Sequence, residues 1–356
     1  MIARVLQGSG GTYRVRAEGR ELECSLRGRI KQGNTGSVAV GDRVQIEQLE
    51  DGSCRITEVL PRESVLARRA MARRRDQIMA ANLDQLAIVV AVTRPDPDLH
   101  MLDRLLAVAE LNDLDPFIVC NKTDLSDSLP PDLDLYRTIG YEILPTSVNE
   151  PSSINVLRER LAGRTTVLAG ASGVGKSSLL NALIPGLDLR VGDVGERKGR
   201  GRHTTTSARL IPLDDETYIA DTPGIQHFVP TGVSVEALGH AFPELRPLEG
   251  SCRFADCRHR AEPGCAVREA LANDQIDQRR YEAYLAERSD RSATIRGLSR
   301  HPRGSRVGRA GGTYARRWLT GPPKSCVRRC RRFWRGRSPS AYRMKRLTGV
   351  PPSRSS

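Results

Sequence analysis

Three short segments of this sequence contain the residue types that bind a nucleoside triphosphate. Residues 170–177, Gly-Ala-Ser-Gly-Val-Gly-Lys-Ser, fit a phosphate-binding loop, in which backbone N–H groups and a lysine surround phosphate oxygens. Residues 121–124, Asn-Lys-Thr-Asp, end in an aspartate that can accept two hydrogen bonds from guanine. Residues 221–224 are Asp-Thr-Pro-Gly, where Asp221 is expected to hold Mg²⁺ through water and the Gly224 N–H to meet a γ-phosphate. Together the segments predict a guanine-nucleotide site.

The order of these segments along the chain is unusual. In an ordinary GTPase the phosphate loop comes first, Asp-x-x-Gly second and Asn-Lys-x-Asp last. Here the base-reading segment at 121–124 precedes the phosphate loop at 170–177, and the metal-side segment at 221–224 follows it. Because all three must still lie at the carboxyl edge of one sheet, the order predicts a circularly permuted GTPase domain.

The segments that flank these motifs have the pattern of an α/β domain. The apolar run at 85–93 is typical of a strand buried on both faces, and a second such strand at 116–120 leads into the base-reading segment. Strands at 165–169 and 217–220 lead into the phosphate loop and the metal-side segment, and 101–111 has helical apolar spacing. This alternation predicts a mostly parallel sheet covered by helices.

The segment at 191–206 is rich in Gly, Arg and Lys and ends in a run of threonines. A flexible loop of this kind is typical of a switch that closes when a threonine hydroxyl ligates Mg²⁺. We assign this role to Thr205, with Thr204 as the alternative. Ile225 stands where a small GTPase carries the glutamine that orients the attacking water, so hydrolysis by the chain alone should be slow. His203 can bond a water and is our candidate to replace that glutamine.

A second base-side loop is predicted at Thr146-Ser147, which follows a strand at 142–145. With GTP, the predicted Mg²⁺ ligands are Ser177, Thr205 and Asp221, and the predicted catalytic residues are His203 and Thr205. The predicted GTP-binding residues are Asn121, Lys122, Thr123, Asp124, Ser147, Gly170, Ala171, Ser172, Gly173, Val174, Gly175, Lys176, Ser177, Ser178, Asp221 and Gly224.

Three cysteines and one histidine lie close together in the sequence before residue 290. Cys252, Cys257, His259 and Cys265 offer four soft ligands, a set that suits tetrahedral Zn²⁺. Because this set leaves no coordination position open, we predict one structural zinc ion rather than a catalytic one. The arginines between the ligands favour an RNA-facing surface.

The other cysteines give no metal pattern. Cys24, Cys54 and Cys120 are isolated in strand-like segments, so we expect reduced thiols, as in the cytoplasm. Cys326 and Cys330 have no further Cys or His partner and are assigned no site. The first residues break into Gly and Ser too early for a signal peptide, and no apolar run approaches the roughly 20 residues that span a bilayer. These features predict a cytoplasmic protein without a membrane partner.

The net charge of +14 comes from one end of the chain. Residues 291–356 contain 19 of the 56 lysines and arginines and none of the 42 acidic residues, so the first 290 residues carry 37 basic against 42 acidic residues. The charge therefore gives no general nucleic-acid signature for the folded part. We interpret the tail either as a disordered RNA-binding extension or as the product of a frame shift.

Four regions are predicted. Residues 1–66 read as short strands broken by glycine turns and indicate a small β-barrel of the OB-fold type, with an SH3-like barrel as the alternative. Residues 67–231 form the circularly permuted α/β P-loop GTPase domain, which begins with a basic linker at 67–75. Residues 232–290 form a small α-helical zinc domain, and residues 291–356 form the basic low-complexity tail.

With these features the sequence resembles the ribosome small subunit-dependent GTPase family (RsgA, also called YjeQ), from residue 1 to about 290. The resemblance rests on the barrel, the permuted motif order, Gly-Arg-His-Thr-Thr at 201–205 and the Cys-Cys-His-Cys cluster. It implies a cytoplasmic factor in late maturation of the small (30S) subunit that binds rRNA and hydrolyses GTP when docked there. It maps the family's switch histidine to His203 and its hydrophobic replacement for the catalytic glutamine to Ile225.

Two functions are compatible with these residues. The first is a ribosome-activated GTPase. The second is a GTP- or GDP-sensing RNA-binding module with incidental hydrolysis, which Ile225 and the absence of an obvious arginine finger favour. Stimulation of turnover by small subunits would distinguish the two. An ATP-using kinase is disfavoured by Asp124, and we expect a monomer.

Overall fold

The structure is a computed structural model that describes residues 1–26, 38–50, 53–68, 77–187, 208–221 and 236–299. The strands are β1 (Ile2–Ser9), β2 (Thr12–Ala17), β3 (Arg20–Leu26), β4 (Arg43–Gln48), β5 (Cys54–Val59), β6 (Val65–Arg68), β7 (Gln77–Ala81), β8 (Gln85–Ala91), β9 (Asp115–Asn121), β10 (Glu142–Thr146), β11 (Thr165–Ala169), β12 (Arg209–Pro212) and β13 (Tyr218–Asp221). The α-helices are α1 (Leu99–Leu111), α2 (Leu133–Ile139), α3 (Pro151–Leu161), α4 (Lys176–Leu183), α5 (Ala266–Ala272) and α6 (Gln278–Ser299). Short 3-10 helices lie at Thr123–Leu125, Glu236–Ala241 and Arg246–Leu248.

The first five strands close into a barrel in the order β1-β2-β3-β5-β4. β1 pairs antiparallel with both β2 and β4, and β3 runs parallel to β5. Because alternate side chains of each strand point inward, Val5, Val15, Val44 and Ile56 are fully buried in the barrel core. The predicted OB-type barrel is confirmed.

Cys24 and Cys54 form a disulfide inside this barrel. The prediction of isolated, reduced thiols is therefore wrong for this pair, because it treated each strand separately. β3 and β5 are neighbours, and their register sets Cys24 directly opposite Cys54. Cys120, in β9, is a buried free thiol, and its burial raises its pKa to about 11.

A two-stranded antiparallel sheet of β6 and β7 follows the barrel. Since β6 includes Ala67 and Arg68, the first residues of the predicted basic linker belong to a strand, while residues 69–76 lie outside the described residues. Asp42 is fully buried beside β4, and its carboxylate accepts two hydrogen bonds of 2.6 Å from Arg62. This bidentate pair fixes the chain where it leaves the barrel.

The second domain is built on a six-stranded sheet in the order β10-β9-β8-β11-β13-β12. All neighbours in it run parallel except β12, which is antiparallel to β13. The predicted mostly parallel sheet is confirmed. β8 pairs with β9 on one side and with β11 on the other, so the base-reading and phosphate-binding strands flank it. The carboxyl ends of β9, β11 and β13 therefore bring Asn121, the phosphate loop and Asp221 to one edge.

Helices cover both faces of this sheet. All seven residues of β8 are buried, and successive side chains enter opposite cores. Ile88 belongs to the core shared with Leu105 of α1 and Tyr136 of α2. Val89 belongs to the core shared with Leu157 of α3 and with helix α4. This double burial explains the near-continuous apolar run in the sequence.

The C-terminal region of the described chain is helical, as predicted. Its core includes Leu238, Phe242 and Tyr284. Helix α6 runs to Ser299, so the predicted domain boundary at 290 lies inside a helix, because a change in composition without Pro does not end helical hydrogen bonding. Residues 300–356 lie outside the described residues. None of the helices that the structure describes is long and apolar enough to cross a membrane.

A buried network of charges attaches the helical region to the sheet domain. Asp103 of α1 is 1% exposed and accepts hydrogen bonds from the Tyr136 hydroxyl (2.8 Å), Arg280 (2.7 Å) and Arg279 (2.9 Å). Arg280 is also 1% exposed, and its Nε donates to Glu244 at 2.7 Å. Each buried charge thus has a bonded partner, as burial of ions requires.

Asp103→Ala should lower the free energy of unfolding by about 3 kcal/mol, because it removes one partner of a buried ion pair. Urea unfolding followed by circular dichroism measures this change. The matched control is Asp134→Ala, whose side chain is 71% exposed and pairs with Arg137 on the surface. The control should change the free energy by less than about 0.5 kcal/mol. Equal effects of the two substitutions would contradict the assigned role of the network.

Candidate functional site

The phosphate loop connects β11 to α4. Gly170 (φ 148°) and Gly175 (φ 100°) adopt backbone conformations that favour glycine. A Cβ on Gly170 would lie 2.2 Å from the Val89 carbonyl oxygen, so the loop packs directly on β8. Lys176 is 8% exposed, and its Nζ donates to the carbonyl oxygens of Gly170 (2.9 Å) and Ala171 (2.7 Å). The lysine is therefore folded over the loop that it is predicted to complete.

One hydrogen bond joins the base-reading loop to the phosphate loop. The buried Asn121 Nδ2 donates to the Val174 carbonyl oxygen at 2.9 Å. A Cβ on Gly175 would lie 2.3 Å from that nitrogen, so glycine is needed for the asparagine to reach. Ser177 and Ser178 follow in the first turn of α4, and Ser177 is buried. The structure thus brings the predicted base-side and phosphate-side residues together.

Asp124 lies on the surface with both carboxylate oxygens bonded. Its Oδ1 accepts from the Ser147 hydroxyl at 2.6 Å, and its Oδ2 accepts from the Asn149 Nδ2 at 2.9 Å. These two bonds, that of Ser147 first, lower the pKa of Asp124. The group is therefore an ionised acceptor at neutral pH, as recognition of two guanine donors requires. The loop at Thr146-Ser147 lies beside Asp124 as the sequence predicts.

Further hydrogen bonds, which no sequence motif indicates, hold the same loops in place. The Thr123 hydroxyl donates to the Thr146 carbonyl oxygen at 3.1 Å, and the Thr146 hydroxyl donates to the Asn121 side chain at 3.3 Å. Lys122 has a left-handed φ of 64°, and its Nζ donates to the Arg94 carbonyl oxygen. The one signal for Arg94 in the sequence was its position just after the buried run of β8, at the motif-bearing edge.

The metal-side motif is described only in part. Asp221 ends β13, and its Oδ2 accepts from Arg209 Nε at 3.2 Å, because the antiparallel register sets these two residues opposite each other. Arg209 is a neighbour that the motif did not indicate. Gly224, Ile225, His203, Thr204 and Thr205 lie outside the described residues, so their predicted roles stay predictions.

The Cys/His cluster has the geometry of a metal site. The ligand atoms of Cys252, Cys257, His259 and Cys265 all lie within 4.8 Å of one another. The His259 Nδ1 is 3.5 Å from the Cys252 Sγ and 3.4 Å from the Cys265 Sγ, and those two sulfurs are 3.9 Å apart. Thiolates held about 2.3 Å from a tetrahedral centre would be about 3.8 Å apart. The spacing fits a bound metal ion.

Neighbouring contacts hold the backbone of the cluster in place. His259 has a left-handed φ of 60°, and its carbonyl oxygen accepts a hydrogen bond from the Tyr281 hydroxyl, which fixes the backbone that presents the imidazole. Cys265 immediately precedes α5, so the cluster is anchored to a helix.

Comparison with protein families identifies the chain. The model of the RsgA N-terminal domain matches residues 3–56, and the model of the RsgA GTPase matches residues 59–230. The chain belongs to the RsgA family of GTPases. The boundary between the two matches coincides with the end of the barrel, and the second match contains all three nucleotide motifs.

Curated relatives and solved structures agree with this RsgA assignment. The chain is 45% identical over 289 residues to the small ribosomal subunit biogenesis GTPase RsgA of Moorella thermoacetica (80% of this chain, 95% of that one). It is 43% identical over 297 residues to the RsgA of Gemmatimonas aurantiaca (80% and 96%). The crystal structure of YjeQ from Thermotoga maritima matches with a TM-score of 0.65 at 35% identity (81% and 97%). YloQ, a circularly permuted GTPase, matches with a TM-score of 0.62 at 28% identity (85% and 96%).

Asp124→Asn should shift the base preference from guanine towards xanthine. The amide replaces one acceptor oxygen with a donor, which no longer fits the exocyclic amine of guanine but fits the additional carbonyl of xanthine. Competition against a fluorescent guanosine diphosphate, with GDP and XDP as competitors, measures the shift. Unchanged GDP affinity would contradict the assignment of Asp124 to the base.

Proposed function

We propose that this GTPase acts in late maturation of the small ribosomal subunit and hydrolyses GTP to GDP and phosphate when it is docked there. The observation that carries the proposal is the convergence of the base-reading and phosphate-binding loops at one sheet edge, joined by the bond from Asn121 to Val174. Relatives at 45% and 43% identity are named small ribosomal subunit biogenesis GTPases, which supports the setting.

In the proposed mechanism, GTP replaces the bonds of Lys176 within its own loop and uses the acceptor positions that remain on Asp124. Lys176 leaves the carbonyl oxygens of its own loop and reaches the β- and γ-phosphates. Asp124 accepts from the N1–H and the exocyclic amine of guanine. Ser177, Thr205 and Asp221 would hold Mg²⁺, which would supply positive charge to neutralise the phosphates.

Hydrolysis by the protein alone is expected to be slow. Ile225 cannot orient an attacking water through a hydrogen bond, and His203 is the side chain that we propose for this task, with the Gly224 N–H at the γ-phosphate. Docking on the subunit would bring the switch residues to the γ-phosphate and raise the rate. The rival function, an RNA-binding nucleotide sensor, would give nucleotide-dependent binding without stimulated turnover.

The Cys/His cluster is proposed to hold one structural zinc ion. Three thiolates and an imidazole suit Zn²⁺, and four protein ligands leave no open position for catalysis. Cys257 and Cys265 belong to the core of the helical region, so the ion would tie the loop at 252–265 to that core.

We propose that the outer surface of this cluster contacts ribosomal RNA. Arg253, Arg258 and Arg260 are exposed between the ligands and can meet phosphates. The ring of Phe254 is 42% exposed, with the Arg253 guanidinium 5.5 Å from its centroid, and can stack on an unpaired base. The protein would act in the cytoplasm, the setting that small-subunit maturation favours. It would act there as a monomer.

Removal of a ligand should remove the metal. Purified protein is expected to contain one zinc ion per chain by elemental analysis, and Cys257→Ser should lose it and lower the melting temperature. Zinc-binding free energy contributes directly to folding in such sites. The matched control is Cys120→Ala, a buried thiol outside the cluster, which should keep the zinc content of the parent. Retention of zinc by Cys257→Ser would contradict the ligand set.

Purified 30S subunits should stimulate GTP turnover by the full chain at least about tenfold, because the missing water-orienting group makes the free protein slow. Phosphate release with and without subunits measures this effect. Lys176→Ala should abolish the stimulated rate. Arg158→Ala, an exposed cation on α3, should retain it. Nucleotide-dependent binding to 30S without any stimulation would favour the sensor function instead.

A further inference from the structure

Asn149 belongs to none of the nucleotide motifs, yet it is bonded to the base-reading aspartate. It lies three residues beyond the end of β10, and its Nδ2 donates to the Asp124 Oδ2 at 2.9 Å. An amide that faces a carboxylate must present its nitrogen, so the direction of this bond is fixed by chemistry. Among the described residues, Ser147 supplies the other side-chain hydrogen bond to Asp124, on Oδ1.

The two donors use different oxygens of one exposed carboxylate. Each carboxylate oxygen has two lone-pair positions, so the bonds from Ser147 and Asn149 leave one position on each oxygen. Guanine offers two adjacent donors, its N1–H and its exocyclic amine, and needs both oxygens at once. The protein bonds therefore set the carboxylate plane and still leave the number of acceptor positions that the base requires.

The segment that carries Asn149 is itself held firmly. The Asn149 backbone N–H donates to the Ser147 hydroxyl oxygen at 3.1 Å. The Ser147 N–H donates to the Ser153 hydroxyl at 3.0 Å, and that hydroxyl donates back to the Ser147 carbonyl oxygen at 3.1 Å. Helix α3 begins at Pro151, which restricts the backbone just beyond Asn149. The backbone that carries the amide is thus an ordered turn.

We propose that Asn149 is a specificity-determining residue for guanine, acting as a positioning residue that clamps Asp124 from the side opposite Ser147. The proposal rests on the proposed role of Asp124 in reading the base. Without the clamp, Ser147 alone holds the Asp124 carboxylate by one oxygen, which permits rotation of the exposed group about that bond. A base that needs two simultaneous bonds then loses more affinity than a base that needs one.

This difference makes GDP and IDP the diagnostic pair, because hypoxanthine has the N1–H of guanine and lacks its exocyclic amine. Asn149→Ala should weaken GDP binding about tenfold, the effect of one hydrogen bond to a charged group. The binding of IDP should weaken by a smaller factor, so the preference of the protein for GDP over IDP falls. Asn149→Asp keeps the shape, removes the donor and adds a like charge beside Asp124, so it should weaken GDP binding further than Asn149→Ala.

The experiment measures the Kd of GDP and IDP for full-length protein by isothermal titration calorimetry. Glu150→Gln is the matched control, because this side chain is exposed in the same turn and has no bond to Asp124; it should bind both nucleotides like the parent. Equal weakening of GDP and IDP by Asn149→Ala would show a general loop defect and overturn the proposal. Unchanged or tighter GDP binding would show that the base displaces Asn149 and would overturn it as well.

Asp124→Ala separates this proposal from the proposed base site. If Asp124→Ala abolishes discrimination between GDP and IDP while the Asn149 variants keep it, the base site stands and the clamp is wrong. If Asp124→Ala binds GDP as tightly as the parent, the base site itself is wrong and the clamp fails with it. We expect Asp124→Ala and Asn149→Ala both to lose discrimination between GDP and IDP, with the larger loss in Asp124→Ala.

Discussion

The nucleotide site depends on the hydrogen bond from Asn121 to the Val174 carbonyl oxygen. In the permuted chain this bond connects segments that lie far apart in sequence, and it forms because β8 sits between β9 and β11. Gly175 is part of the same constraint, since a side chain there would collide with the asparagine. Thr123 bonds to Thr146 and Thr146 bonds to Asn121, so the base-reading loop and the loop at Thr146-Ser147 are held relative to the phosphate loop.

The charged groups described in the site have hydrogen-bond partners within the protein. Lys176 bonds its own loop, Asp221 bonds Arg209, and Asp124 bonds Ser147 among others. Lys176 is buried and Asp221 is half-buried, and an unpaired charge at such a position costs several kcal/mol, so their partners stabilise the fold. In the proposed mechanism the phosphates replace the bonds that Lys176 makes to its own loop, whereas Asp124 keeps its bonds from Ser147 and Asn149.

Helix α1 unites the sheet domain with the helical region. Leu105 contributes to the sheet core, whereas Ala107 and Leu111 contribute to the core of the helical region. Apolar packing alone would permit several rotational settings of one helix on another. The ion pair in which Arg280 donates to Asp103 selects one setting, because an ion pair buried this deeply tolerates little change in geometry. The Cys/His cluster and its outer surface are thereby fixed relative to the sheet domain that contains the nucleotide site.

The sequence by itself determined the chemistry of the sites and the order of the domains. Phosphate loops, base-reading segments and Cys/His ligand sets act through local residue types and spacing, so 170–177, 121–124 and the cluster from Cys252 to Cys265 could be read directly. Only the tertiary structure decided which distant residues meet. The disulfide of Cys24 with Cys54 and the bond of Asn149 to Asp124 depend on strand register and on a turn, which local patterns do not encode. The end of α6 also escaped prediction, because composition changes at 290 while helical hydrogen bonding continues.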